Sequence, residues 1–247
     1  MGLLDFFKKS NTDSTTGQTD KALTRLARTA ANKHAQNFDR MEALHALAEL
    51  QTDQACSALL KRFTFYIEPH ITDQEEKEVA FRAVVSAGKT ALQPIRDFCK
   101  RAESLAWALK ALTEILPEDD YVAELIGLLS AFDTEYTKNS EPKIQLISAL
   151  EGKRLPGVRE AVLPFVEDVN EPVRFHAITT LFSLNDDATL SDVCPLLPDE
   201  ESVRVRNRVF EEIRSRKWKI PAELLDSVSS SLTPSYILDG NQILRGR

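Results

Sequence analysis

Glycine is scarce in this chain, at 8 of 247 residues. No Gly-rich phosphate loop of the G-x-G-x-x-G or G-x-x-x-x-G-K-[ST] kind occurs, which removes the common nucleotide-binding fingerprints. Cysteine numbers 3, and Cys56, Cys99 and Cys194 lie far apart. So odd and sparse a set excludes a disulfide framework and a CxxC metal ribbon; it reads as buried, reduced thiols in a cytoplasmic protein. The 4 histidines, His34, His45, His70 and His176, never fall two or four apart, so there is no HExxH helix. No run approaches the roughly 18 apolar residues of a membrane span, and no secretory leader is expected. Basic charge is in deficit, with Lys+Arg 31 against Asp+Glu 38 for a net −7. That balance argues against a general nucleic-acid binder, which needs a basic footprint.

What the chain does have is helix-forming apolar periodicity. Hydrophobic residues make up 43 % and charged residues 28 %, enough to pack a core. From Lys21 onward apolar residues recur at i, i+3 and i+4, and the blocks resemble one another. In the first block Met41, Leu44, Leu47 and Leu50 mark one helix. The polar turn Gln51-Thr52-Asp53 follows, and then Ala55, Leu59, Leu60 and Phe63 mark a second. The same plan returns at Val79–Cys99, Leu105–Leu129, Ile144–Val166 and Val173–Leu197, and less regularly from Val203. Equivalent first-helix positions are Ala46, Ala83, Ala111, Ala149, Thr180 and Glu212, spaced by 37, 28, 38, 31 and 32 residues. Two-helix units of this length predict hairpins that bury their stripes against their neighbours.

The segment Asp168-Val-Asn-Glu-Pro-Val-Arg174-Phe-His-Ala177 resembles the HEAT-repeat pattern, in which an acidic turn precedes Pro-Val-Arg and a small residue. Asp199-Glu-Glu-Ser-Val-Arg204 repeats it more loosely. The resemblance spans about Lys21 to Ser230. It implies a right-handed, all-α solenoid of about six HEAT-like hairpins, in which Asp168 and Arg174 bridge adjacent repeats. It also implies that second helices line an inner groove. Lys61, Arg62, Arg96, Lys100 and Arg101 would then make the N-terminal half of that groove basic, attractive to an acidic segment of a partner protein.

Two insertions account for the longer steps. Phe65 to Asp73 carries Tyr66, Glu68 and Asp73, and Phe132 to Ser140 carries Asp133, Glu135 and Tyr136. Insertions in a solenoid fall on one edge, so these residues are further candidate partner contacts. Arg204, Arg206, Arg208, Arg214, Arg216, Lys217 and Lys219 crowd the last block, but Glu200, Glu201, Glu211 and Glu212 are interleaved with them, so internal ion pairing is expected. At the start, Met1 to Lys9 read MGLLDFFKK, a short amphipathic stretch that either touches a membrane surface weakly or docks on the protein itself.

No catalytic, metal or cofactor-binding constellation emerges. Two enzyme-related classes share HEAT-like repeats: alkylpurine DNA glycosylases and the bilin lyases that load a pigment. The first would need a basic concave face and a catalytic Asp among aromatics. The tryptophans are only Trp107 and Trp218, and Lys110 and Ala111 stand one turn after Trp107. Nothing marks a tetrapyrrole pocket. The expectation is a monomeric, non-catalytic protein-binding scaffold or adaptor without cofactor; action on DNA or a pigment is the alternative. Its parts would be a flexible segment over residues 1–20, a solenoid over 21–231 and an extended capping tail over 232–247.

Overall fold

The computed structural model describes residues 20–240 and 244–246. The expectations for residues 1–19, including the amphipathic stretch from Met1 to Lys9, fall outside the described residues; Asp20, expected in the flexible segment, is helical. Helix takes up 67 % of the described residues and strand only two three-residue segments, so the protein is all-α. The chain divides into two compact units, Met1–Pro117 and Glu118–Arg247.

In the first unit, α1 covers residues 20–30. Then come α2 (Asn37–Ala48), α3 (Asp53–Leu60), α4 (His70–Ser86), α5 (Leu92–Cys99) and α6 (Ala106–Ile115). Thr52 caps α3, its hydroxyl accepting from the Ala55 N–H at 3.2 Å, which satisfies an otherwise orphaned donor. Tight 3-10 turns extend α3 over Lys61–Thr64 and lead into α5 over Gly88–Ala91. Alternate helices pack on one another: α2 on α4 and α4 on α6, with α3 on α5, while α2 and α3 close as a hairpin. The core is the sum of the stripes read above: Leu44 and Leu47 of α2, Leu59 and Leu60 of α3, Val84 of α4, Ile95 of α5 and Leu112 of α6 are all buried. Each such side chain contributes about 1.5–3 kcal/mol relative to an exposed one.

In the second unit the order is α7 (Glu118–Leu129), α8 (Glu141–Ala149), α9 (Val158–Val162), α10 (Glu171–Ser183), α11 (Thr189–Val193), α12 (Val203–Arg216) and α13 (Leu225–Ser230). Here α8 packs on α7 and α10, α10 on α12, and α9 on α7 and α10. Gly157 precedes α9 at φ 87°, where a side chain would be strained, although its Cβ would meet the Ile126 side chain of α7 only in ordinary contact. Lys217 ends α12 in the left-handed region at φ 55°. The Trp218 N–H then donates back to the Ile213 carbonyl at 3.2 Å and the Lys217 N–H to the Arg214 carbonyl at 3.1 Å, a Schellman closure.

Two refinements concern the ends and the small-residue positions. The tail expected to be extended over residues 232–247 contains a hairpin, β1 (Tyr236–Leu238) antiparallel to β2 (Leu244–Gly246), which packs on α12. Leu244 is buried, Tyr236 lies against Phe210 at 5.4 Å between ring centroids, and the Tyr236 hydroxyl donates to Glu211 at 3.2 Å. Among the matched first-helix positions, Ala83, Ala111 and Thr180 are buried, whereas Ala46 and Ala149 are only half-buried. Thr180 replaces the small residue without strain on polarity, because its hydroxyl donates to the Ile147 carbonyl of α8 at 3.0 Å.

Candidate partner-binding site

Where α3 packs on α5, their outer faces and the turns after them leave an open cleft of about 290 Å³. Its floor is Pro94, Phe98 and Ala102, and its walls carry Ser57, Lys61, Thr64, Asp97 and Arg101. Lys61 follows α3 in its 3-10 extension and Arg101 follows α5, so the helix ends themselves deliver the two cations. Both are exposed, and among the described residues neither has a carboxylate within ion-pair distance. Asp97 is already engaged. The Lys100 ammonium at 3.0 Å and the Gln93 amide hold its carboxyl below the usual carboxylate range. Arg96 is half-buried on α5. The cleft thus gathers Lys61 and Arg101 at an apolar floor, with Lys100 beside them tied to Asp97.

Beside the cleft runs a half-buried aromatic row. Phe63 stacks on Trp107 with centroids 5.4 Å apart and planes 8° from parallel, and Phe98 meets Phe63 edge-on at 6.4 Å. Lys110 sits over Phe81 at 4.3 Å and over Trp107 at 5.0 Å. Trp107 is therefore a packing residue within this row.

Arg62 corrects the expectation of a groove residue: it is fully buried and cannot meet a partner. Its guanidinium donates to Glu76 at 2.6 Å, to Asp73 at 2.7 Å and to the Phe65 carbonyl at 3.0 Å. Glu76, also fully buried, accepts from Arg40 as well, at 2.9 to 3.1 Å. Asp73 is a second correction, since it is not an exposed loop carboxylate but a buried residue in the first turn of α4. Burial pushes its carboxyl up, but hydrogen bonds from Lys77 and Arg62 outweigh this and hold it below the usual range. The cause is geometric. The insertion is shorter than its sequence suggests because α4 begins at His70, which turns Asp73 and Glu76 inward to meet Arg40 and Arg62. Tyr66 and Glu68 do stay exposed. Arg40 and Glu76 are members of this network that the pattern reading missed, although Arg40 stands three and four residues before the buried Ala43 and Leu44, and Glu76 four before the buried Ala80.

The second unit holds a parallel arrangement. Lys143 of α8 is buried and donates to Asp168 at 2.7 Å and to the Glu135 carbonyl at 2.9 Å. Asp168 also accepts from the Asn170 N–H at 2.8 Å, and its carbonyl accepts from Arg174 at 2.9 Å. Arg174 reaches on to Glu200, ahead of α12, through two bonds of 2.8 and 2.9 Å. Burial raises the Glu200 carboxyl, yet Arg174 and the Ser202 N–H bring it below the usual range. Asp168 thus ties the turn before α10 to α8, and Arg174 ties α10 to the turn before α12. Asp133, Glu135 and Tyr136 are exposed on the loop that Lys143 pins. In the last block Arg204 pairs with Glu171, Arg208 and Arg216 with Glu212, and Arg214 with Glu211.

The remaining titratable groups are structural in their surroundings. All three cysteines are buried and form no disulfide among the described residues, and burial pushes the Cys194 thiol up to about 12. His176 meets the Ser148 hydroxyl at 3.0 Å, and burial, then the Arg204 charge, depresses its pKa. Among the described residues no three His, Cys, Asp or Glu side chains converge as a metal site requires, and no helix is long and apolar enough to cross a membrane.

A scan against protein-family models finds no match, and a search of curated proteins finds none either. One solved structure, titled "Computational Design of Self-Assembling Cyclic Protein Homooligomers", aligns over 89 % of this chain and 80 % of its own, at 14 % identity and a TM-score of 0.15. At that score the likeness carries no argument.

Proposed function

We propose that this chain is a HEAT-like α-solenoid that works without catalysis, as a scaffold or adaptor that grips a partner protein. In this reading an acidic, apolar-anchored segment of the partner lies in the cleft between α3 and α5. Three observations support the architecture: helices alternate in their packing within each unit, Asp168 and Arg174 each tie one helical layer to the next, and apolar stripes face inward throughout. The observation that carries the function is the cleft itself. An apolar floor of Pro94, Phe98 and Ala102 lies beneath Lys61 and Arg101, two cations with no carboxylate within ion-pair distance among the described residues, Arg101 acting on Asp97 only at longer range. Such unpaired charge at an apolar patch favours a ligand of opposite sign and sets register. Buried, high-pKa thiols suit a reducing, cytoplasmic setting.

The test is fluorescence polarisation with a short labelled peptide of alternating Glu and Leu. The unmodified protein should bind it. Lys61→Glu with Arg101→Glu should weaken binding by about tenfold or more, about 1.4 kcal/mol. Equal binding by the variant, with an unchanged melting temperature, refutes the cleft as the site.

A further inference from the structure

Exposed large apolar side chains in the second unit gather on the turns that enter its long helices. Tyr136 (68 % exposed) precedes α8, Val169 (57 %) precedes α10, and Val203 (52 %) opens α12. Hydrogen bonds stitch the three turns into one edge. The Val169 N–H donates to the Thr134 carbonyl at 3.0 Å. Thr137 and Asn170 exchange two bonds, each of 3.0 Å. The Ser202 hydroxyl donates to Glu171 at 3.0 Å, and Arg174 grips Glu200. Between the second and third turns this leaves an open cleft of about 370 Å³, whose apolar lining is Val166, Val169 and Leu196. Isolated exposed apolar residues are ordinary on a protein surface; three on one hydrogen-bonded edge, around a cleft, form a patch.

Charge says what covers it. Glu200 is paired with Arg174, and Glu171 with Arg204. Glu167, Asp199 and Glu201 rim the cleft and Glu135 stands beside Tyr136, and none of the four has a cation within ion-pair distance among the described residues. The cations set against them are Arg174, which lines the cleft but is paired with Glu200, and the half-buried Arg206, whose charge acts on Glu200. Asp199 and Glu201 flank the paired Glu200 on a single turn, so negative charge remains at the rim and attracts an incoming cation.

We propose that this edge docks a basic segment of a partner protein. A lysine or arginine of that segment lays its aliphatic stem along Val166, Val169 and Leu196 and places its charge among Glu167, Asp199 and Glu201. Apolar residues beside it in the partner rest on Tyr136 and Val203. Long basic side chains divide themselves in this way between apolar and charged surroundings. The surface differs in sign and in unit from the α3–α5 cleft and does not rest on that reading.

Fluorescence polarisation with a short labelled peptide of alternating Lys and Leu tests it. The combined variant Glu167→Gln, Asp199→Asn, Glu201→Gln alters only exposed groups without partners, so circular dichroism and melting temperature should match the unmodified protein. Its affinity for the Lys–Leu peptide should fall about tenfold, and Val169→Ser should weaken binding on its own. Lys61→Glu with Arg101→Glu should leave that affinity unchanged, which separates this surface from the other cleft. Unaltered affinity in the carboxylate variant overturns the proposal. Concentration-dependent self-association that Val169→Ser abolishes would assign the edge to a second copy of this chain and overturn it too.

Discussion

Glu76 accepts hydrogen bonds from two guanidiniums while fully out of water, and that placement makes it the most sensitive single residue in the first unit. Removing its charge leaves Arg40 and Arg62 with one buried counter-charge fewer. Breaking a buried pair in this way typically costs about 3–5 kcal/mol. Glu76→Gln should therefore shift the urea unfolding midpoint of the first unit strongly downward, and a change within experimental error would show that the network contributes little. Acid sensitivity follows from the same kind of residue. The folded-state carboxyls of Asp73 and Glu200 lie below their ordinary values. The stability they contribute is thus fully present above the unfolded values of about 3.9 and 4.3 and is lost as pH falls through the folded ones. Glu200→Gln should be less stable at neutral pH and should show a shallower loss below about pH 4, read from urea midpoints across a pH series. The sequence did carry a signal for these residues. Arg40 stands three and four residues before the buried Ala43 and Leu44, and Lys143 stands likewise before Leu146 and Ile147. A charged residue on an apolar stripe has either to be paired or to reach solvent. Nothing in the spacing named the partner, because the carboxylates lie 36 and 25 residues away.

At the level of elements, two endings show what local sequence leaves open. Lys217 holds a left-handed conformation that costs a non-glycine residue about 1–2 kcal/mol, and it does so to close α12 onto the Trp218 turn. Lys217→Gly should raise the melting temperature, by about 1 kcal/mol of added stability at most, because glycine also gains more freedom in the unfolded chain. A lower melting temperature would mean that the lysine side chain matters more than its backbone. The hairpin of β1 and β2 covers α12 through Leu244, which is buried although Arg245 and Gly246 after it are exposed. Leu244→Ala should cost about 2–4 kcal/mol, measured by thermal unfolding. The apolar anchors of the tail were legible from composition. Their pairing was not, since a three-residue strand has too little alternation to announce itself.

For the molecule as a whole, a net charge of −7 hides two surfaces of opposite sign, one in each unit. Exposed charge is screened by salt, whereas buried pairs are screened far less. Raising ionic strength from about 0.1 M to about 1 M shortens the Debye length from about 10 Å to about 3 Å. Both peptide probes should then be released, while the melting temperature changes little. Peptide binding that survives high salt would show that apolar contact, not charge, holds the ligand. The basic surface was partly visible beforehand: Lys61, Lys100 and Arg101 stand where helical spacing puts them, and Arg62 alone among its neighbours turned inward. Tyr136, Asp133 and Glu135 were visible as an insertion, but Val169, Leu196 and Asp199 join that edge only through hydrogen bonds between turns some 30 residues apart.

By itself the sequence determined that this is a helical protein and marked most of the apolar residues its helices bury, because a period of 3.6 in apolar residues depends only on near neighbours. Tertiary structure decided which charges are spent inside and which remain at the surface. Ion pairing depends on groups far apart in the chain, and one side chain's rotation, as with Arg62, moves it from surface to core.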